Sequence, residues 1–81
     1  MNMAPQKLEK SASQFATDAI KYDSQGARGM AITHYQKASE SLLKLMRLYP
    51  DSKLNKIYAV RMKSYQDRIK ALQSTSLTDA E

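Results

Sequence analysis

The side chains of this 81-residue chain that could do chemistry are few and scattered. There is one histidine, His34, and no cysteine, so a thiolate nucleophile, a disulfide and a thiolate metal site are all out of reach. His34 has no carboxylate at ligand spacing along a helix and reads as a partly exposed helix residue. Gly26 and Gly29 lack the Lys-Ser/Thr that turns a glycine-rich loop into a phosphate cradle. No pair of acids faces across one helix. No catalytic, cofactor-binding or metal-binding residue is assigned. The chemistry that remains is recognition, by basic side chains and by apolar shoulders of helices.

The net charge of +5 is unevenly spread. In residues 1–23, Lys7, Lys10 and Lys21 balance Glu9, Asp18 and Asp23, whereas residues 52–73 set Lys53, Lys56, Arg61, Lys63, Arg68 and Lys70 against Asp67 alone. A basic segment of this kind bears on the partner, through an acidic peptide, a nucleic acid or an acidic membrane surface. It also reads simply as a solvated face. No apolar run approaches the length of a signal peptide or a membrane span, which leads us to expect a soluble, cytoplasmic domain. A chain this short forms one domain and must pack efficiently.

These residues have to be positioned by helices. Only two Gly, two Pro and a single Val are present, a composition that argues for an all-α fold. Pro5 suits the first turn of a helix. From there Leu8, Ala12, Phe15 and Ala19 recur at helical spacing, widened by Ala16 and Ile20, and Gly26 can take the left-handed conformation that closes the helix. A second helix is expected from about Ala27 to Tyr49, with Ala31, Tyr35, Ala38, Leu42, Leu45 and Tyr49 on its stripe and Ile32, Leu43 and Met46 beside it. Pro50 stops it, and Asp51 or Ser52 offers an N-cap for a third. The third stripe is Leu54, Tyr58, Arg61 or Met62, Tyr65, Ile69 and Leu72. Short connections make neighbours antiparallel, so residues 5–73 read as a three-helix bundle with helices one and three parallel. Residues 74–81 lose the period and read as a flexible C-terminal linker.

Residues Ala31-Ile32-x-x-Tyr35-x-x-Ala38 look like part of a tetratricopeptide repeat, but Pro50 comes two helical turns too late for one and no second copy follows. A tetratricopeptide-like scaffold fragment is thus an alternative of low weight. Together with Ala12, Ala16, Ala19, Asp23, Gly26 and the Tyr65-Gln66-Asp67-Arg68 run, the pattern resembles the MIT (microtubule interacting and trafficking) domain over residues 8–72. The Leu48-Tyr49-Pro50-Asp51-Ser52 break is most similar to MIT domains at the N-terminus of archaeal AAA ATPases of the vacuolar-protein-sorting type. The resemblance implies a non-catalytic module, monomeric in itself, that binds C-terminal tails of ESCRT-III subunits and recruits the ATPase for filament remodelling. It implies membrane contact only through the filament and no specific nucleic acid. The alternative from another class is a small basic nucleic-acid-binding helical domain, against which stands the absence of any helix-turn-helix spacing.

Two grooves are expected. Between helices one and three lie Ser13, Ala16, Ile20, Ile57, Val60, Ser64 and Arg68, with Ile20 expected to face Ile57. Between helices two and three lie Ala59, Met62 and Gln66, with Met30 and Met62 off the stripe centres. The resemblance implies an extended, proline-containing peptide in the first groove or a helix in the second. Gln66 stands where the family often has an apolar residue, which favours the first. The five tyrosines are expected to pack rather than recognise.

Overall fold

The computed structural model describes residues 5–79, with side chains described through residue 74. Three helices follow one another, α1 (Pro5–Ser24), α2 (Arg28–Leu48) and α3 (Asn55–Asp79), and no strand occurs among the described residues. Leu8 and Ala12 of α1 pack with Leu42 and Leu45 near the end of α2, whereas Ala19 packs with Ala31 and Tyr35 near its start. Those pairings run in opposite senses, so α1 and α2 are antiparallel. On α3, Tyr58 joins the first group and Ile69 and Leu72 the second, which brings α3 back parallel to α1. Tyr65 packs against both groups and joins them.

Local chemistry sets the two turns. Gly26 has φ +77, and the bonds Gly26 N–H to Asp23 O (3.1 Å) and Ala27 N–H to Tyr22 O (2.9 Å) close α1 in a Schellman turn. At the second turn Tyr49 N–H still bonds to Leu45 O, and Pro50 then ends α2. Ser52 Oγ accepts from Leu54 N–H at 3.2 Å, as a capping hydroxyl does. Asn55 Nδ2 donates to the Tyr49 and Pro50 carbonyls, tying the start of α3 to the end of α2.

Three stripe positions differ from the sequence reading. Ala16, not Phe15, occupies the core line of α1, and Phe15 lies half-buried beside His34 with Lys37 over its ring. Tyr49 and Leu54 are exposed, because the chain leaves the bundle at Pro50 and re-enters only at Tyr58. Ser39, beside the stripe of α2, is buried as well. The helix also continues past Gln73, so residues 74–79 are helical where a linker was expected; residues 80–81 lie outside the described residues. Extending an existing helix needs no new nucleus, and residues 74–79 contain neither Gly nor Pro to stop it.

Ala19, Ala31 and Ala38 are wholly inaccessible, and their small side chains permit the close approach of α2 to its neighbours. Replacing Ala38 with Glu would bury a carboxylate with no cation provided for it. The Ala38→Glu variant should lose about 3 kcal/mol or more of stability, read as a large drop in melting temperature by circular dichroism. Wild-type melting would contradict the packing described.

Candidate functional site

The side chains that join α1 to α3 are polar and long. Among the described residues no Cα of α1 comes within 8 Å of a Cα of α3, whereas α2 packs closely on both. The gap is crossed near its two ends. At one end the Tyr58 hydroxyl donates to Glu9. At the other, Arg68 makes a two-pronged contact with Asp23, Nε to Oδ2 at 2.7 Å and NH2 to Oδ1 at 2.8 Å, and the Tyr35 hydroxyl donates to the same Oδ2 at 2.9 Å. Asp23 therefore holds one residue from each of the other helices.

The electrostatics follow from this geometry. The Arg68 guanidinium holds the Asp23 carboxyl below its ordinary value of 3.8, against a smaller opposing effect of burial, and the Tyr35 bond helps. Burial, then the bond to Asp23, pushes the Tyr35 phenol up to about 12. Burial, then the bond to Glu9, does the same to Tyr58, also to about 12.

Between the two struts runs a furrow. On its α1 wall Ala16 is 8% exposed and Ser13 and Ile20 are exposed, whereas Ser64 of α3 borders an outer surface with Ala59, Val60, Lys63 and Asp67. Arg68 lies in this furrow but already engaged by Asp23. Ile20 does not face Ile57. The Glu9–Tyr58 contact sets Ile57 level with the start of α1, eleven residues before Ile20 (20 − 9), which is roughly 16 Å along a helix. Val60 is 71% exposed and stands on the outer side of α3, away from the furrow. The sequence shoulder was too coarse here, because helical spacing alone carries no register between two helices that barely touch.

On the other side of α3, Ala59, Met62 and Gln66 come together as expected. They line a depression of about 350 Å³ with Leu43 and Met46 of α2 and the stems of Lys63 and Lys70. Gln66 and Lys70 also border its continuation past Ser39 and Ile69, where the Ser39 hydroxyl is buried without a hydrogen-bond partner among the described residues. Met30, the other methionine off the stripe, is exposed.

His34 is accounted for locally. Its Nδ1 donates to the Met30 carbonyl at 2.8 Å, and its ring lies against Tyr22 and Phe15. Among the described residues no three His, Cys, Asp or Glu side chains are grouped to hold a metal, and no helix is long and apolar enough to cross a membrane. The tyrosines divide: Tyr35 and Tyr58 are buried, Tyr22 and Tyr65 half-buried, and Tyr49 exposed. The hydroxyls of Tyr35 and Tyr58 were missed as cross-helix donors, although the acids they meet, Asp23 and Glu9, were visible in the sequence.

A three-helix bundle is the architecture that the sequence pattern had suggested, and the family comparison agrees with it. The profile of the MIT (microtubule interacting and transport) domain matches residues 9–74. The chain belongs to the MIT domain family. Members of this family are binding modules. The chain is also similar to the "Cell division protein C" of Sulfolobus acidocaldarius, 43% identical over 51 residues, which cover 63% of this chain and 14% of that protein. This MIT domain thus corresponds to a small part of that relative's length.

The clamp in this MIT domain should be visible in its pH dependence. Asp23 has a folded value below its unfolded one, so its contribution is full above about 3.8 and is lost as the pH falls through the depressed folded value. Tyr35 and Tyr58 are raised, so their contribution is full below about 10 and is lost as the pH rises through about 12. Denaturant melts should show stability falling over that alkaline window. Tyr35→Phe and Tyr58→Phe should each remove one phenol from the tyrosinate absorbance titrating near 12. Titration of both phenols near 10 in the folded protein would rule the two buried hydrogen bonds out.

Proposed function

We propose that this MIT domain binds C-terminal tails of ESCRT-III-type subunits and thereby recruits an AAA-type ATPase, of which it forms a part, to filaments that work in membrane scission or cell division. Membership of the family supports a partner of the ESCRT-III type, and the relative named for cell division supports that setting. The ATPase, the cytoplasmic location and the identity of the tail belong to this proposal. The domain's own role is capture of a peptide, with no bond made or broken.

The observation that carries the choice of site is the gap between α1 and α3, kept open by the Glu9–Tyr58 and Asp23–Arg68 contacts. A furrow whose walls are already held apart needs no reorganisation when a ligand arrives. An extended, proline-containing segment is likewise stiff beforehand, so both partners lose little entropy on docking. Ser13 and Ile20 border such a peptide beside Ala16, while Arg68 stands across from them and is available to a ligand carboxylate only by sharing Asp23. The depression of Leu43, Met46, Ala59 and Met62 favours a second reading, in which an amphipathic helix lies between α2 and α3.

Calorimetry with an ESCRT-III tail peptide separates the two. Ile20 and Ala59 are both exposed, so Ile20→Asp and Ala59→Asp should leave melting close to wild type. Ile20→Asp should weaken a proline-containing tail by roughly tenfold or more, the loss expected on putting an unpaired charge against an apolar contact. Ala59→Asp should do little to the same ligand. The reverse pattern would transfer the site to the α2–α3 groove, and unaltered binding by both would exclude either groove.

A further inference from the structure

Large apolar side chains stand in solvent at a few positions of this domain, and most of them fall together. Leu48, Tyr49, Leu54, Ile57 and Val60 are all exposed, whereas the rest of the described residues add only Ile20 and Met30. Leu48, Tyr49 and Leu54 border one apolar hollow of about 530 Å³ at the α2–α3 turn. From there Leu54, just before α3, leads to Ile57 and Val60, three residues apart and so neighbours on its first turns, at 46%, 49% and 71% exposure. Neither peptide groove accounts for this string: Leu54 lies before the helix, Ile57 below the level of Ile20, and Val60 on the outer side.

Basic residues accompany the same string at one-turn spacing. Lys53 stands four residues before Ile57 and Lys56 four before Val60, while Arg61 follows Ile57 by four; Lys63, three after Val60, is paired with Asp67 at 3.2 Å and closes the basic segment. Between Arg47 and Lys63 the only acid is Asp51. Exposed aliphatic side chains ringed by lysine and arginine, with a tyrosine at the edge, form the pattern of a surface that sits in the headgroup region of an anionic bilayer.

We infer that the α2–α3 turn and the outer side of the first turns of α3 form a contact surface for anionic lipid bilayers, separate from the peptide grooves. Leu54, Ile57 and Val60 enter the boundary between headgroups and acyl chains, and Lys53, Lys56 and Arg61 meet the lipid phosphates. A bilayer is favoured over a nucleic acid because the surface is as apolar as it is basic. A duplex offers phosphates but no apolar phase to receive three aliphatic side chains, and the string presents no flat ring for base stacking.

Sedimentation of the 81-residue chain with vesicles tests this. Vesicles of phosphatidylcholine with added phosphatidylglycerol should carry the protein down, vesicles of phosphatidylcholine alone should carry little, and salt should weaken the binding. Lys53→Glu with Lys56→Glu should reduce binding by roughly tenfold or more, since each reversed charge near the surface removes one attraction and adds one repulsion. Leu54→Ser with Val60→Ser keeps every charge and should also reduce binding by several-fold, on the order expected from losing two buried aliphatic groups. Circular dichroism melts confirm the fold of each variant; if Leu54→Ser lowers melting, Val60→Ser alone makes the same comparison at the most exposed site. Absence of wild-type binding to the anionic vesicles at low salt overturns the inference. So does undiminished vesicle binding by the serine variant, or equal binding of wild type and serine variant to duplex DNA that displaces the vesicles, either of which would mark a general polyanion surface.

Discussion

Among the described residues the carboxylate of Asp23 ties all three helices together. It ends α1, accepts from Tyr35 of α2 and pairs with Arg68 of α3. Because α1 and α3 come nowhere near enough for backbone packing, their separation depends on this contact at one end and on Glu9–Tyr58 at the other. The location strengthens the interaction: Asp23 is mostly shielded from water, so its bonds act in a medium less polarisable than bulk solvent. Arg68 remains half-exposed, which avoids the full desolvation cost of a buried ion pair. The Schellman turn at Gly26 immediately follows Asp23 and fixes where the carboxylate sits.

The core divides labour between small and large side chains. Alanines at 19, 31 and 38 allow α1 and α2 to approach closely, so the hairpin is the tight part of the molecule. Tyr35 from α2 and Tyr58 and Tyr65 from α3 fill the wider spaces between the hairpin and α3, with the Tyr35 and Tyr65 rings 5.8 Å apart. A helix held at the ends of long side chains leaves a concavity on each side. That is the physical origin of the two grooves, and it explains how so small a domain can offer binding surfaces without sacrificing its core.

The α2–α3 turn follows a different rule. Pro50 takes the chain out of the bundle, and the residues on either side of it, Leu48, Tyr49 and Leu54, lose their packing partners as a result. In a domain with few large apolar residues to spend, leaving that many in water beside a run of lysines is a cost to folding. It becomes intelligible when the segment meets something outside the domain. The grooves and this turn are therefore two kinds of surface, one shaped by gaps between helices and one by apolar residues that the fold declines to bury.

Much of the fold was legible in the residues. Alternating spacings of three and four, Gly26 after Asp23, and Pro50 after Tyr49 specify three helices and two turns, because helix period and turn chemistry act over a few neighbouring residues. Membership of the MIT family was legible for the same reason, since its pattern is one of spacing. Burial inside a stripe was only partly so: Ala16 displaced Phe15 from the core line, since a small residue fits where α2 comes close and a ring does not. The pairing of Asp23 with Arg68, the level of Ile20 relative to Ile57, and the outward position of Val60 were decided by the tertiary structure alone. They depend on the axial offset between α1 and α3, two helices with no direct connection and no backbone contact, and nothing in either helix's own periodicity carries that offset.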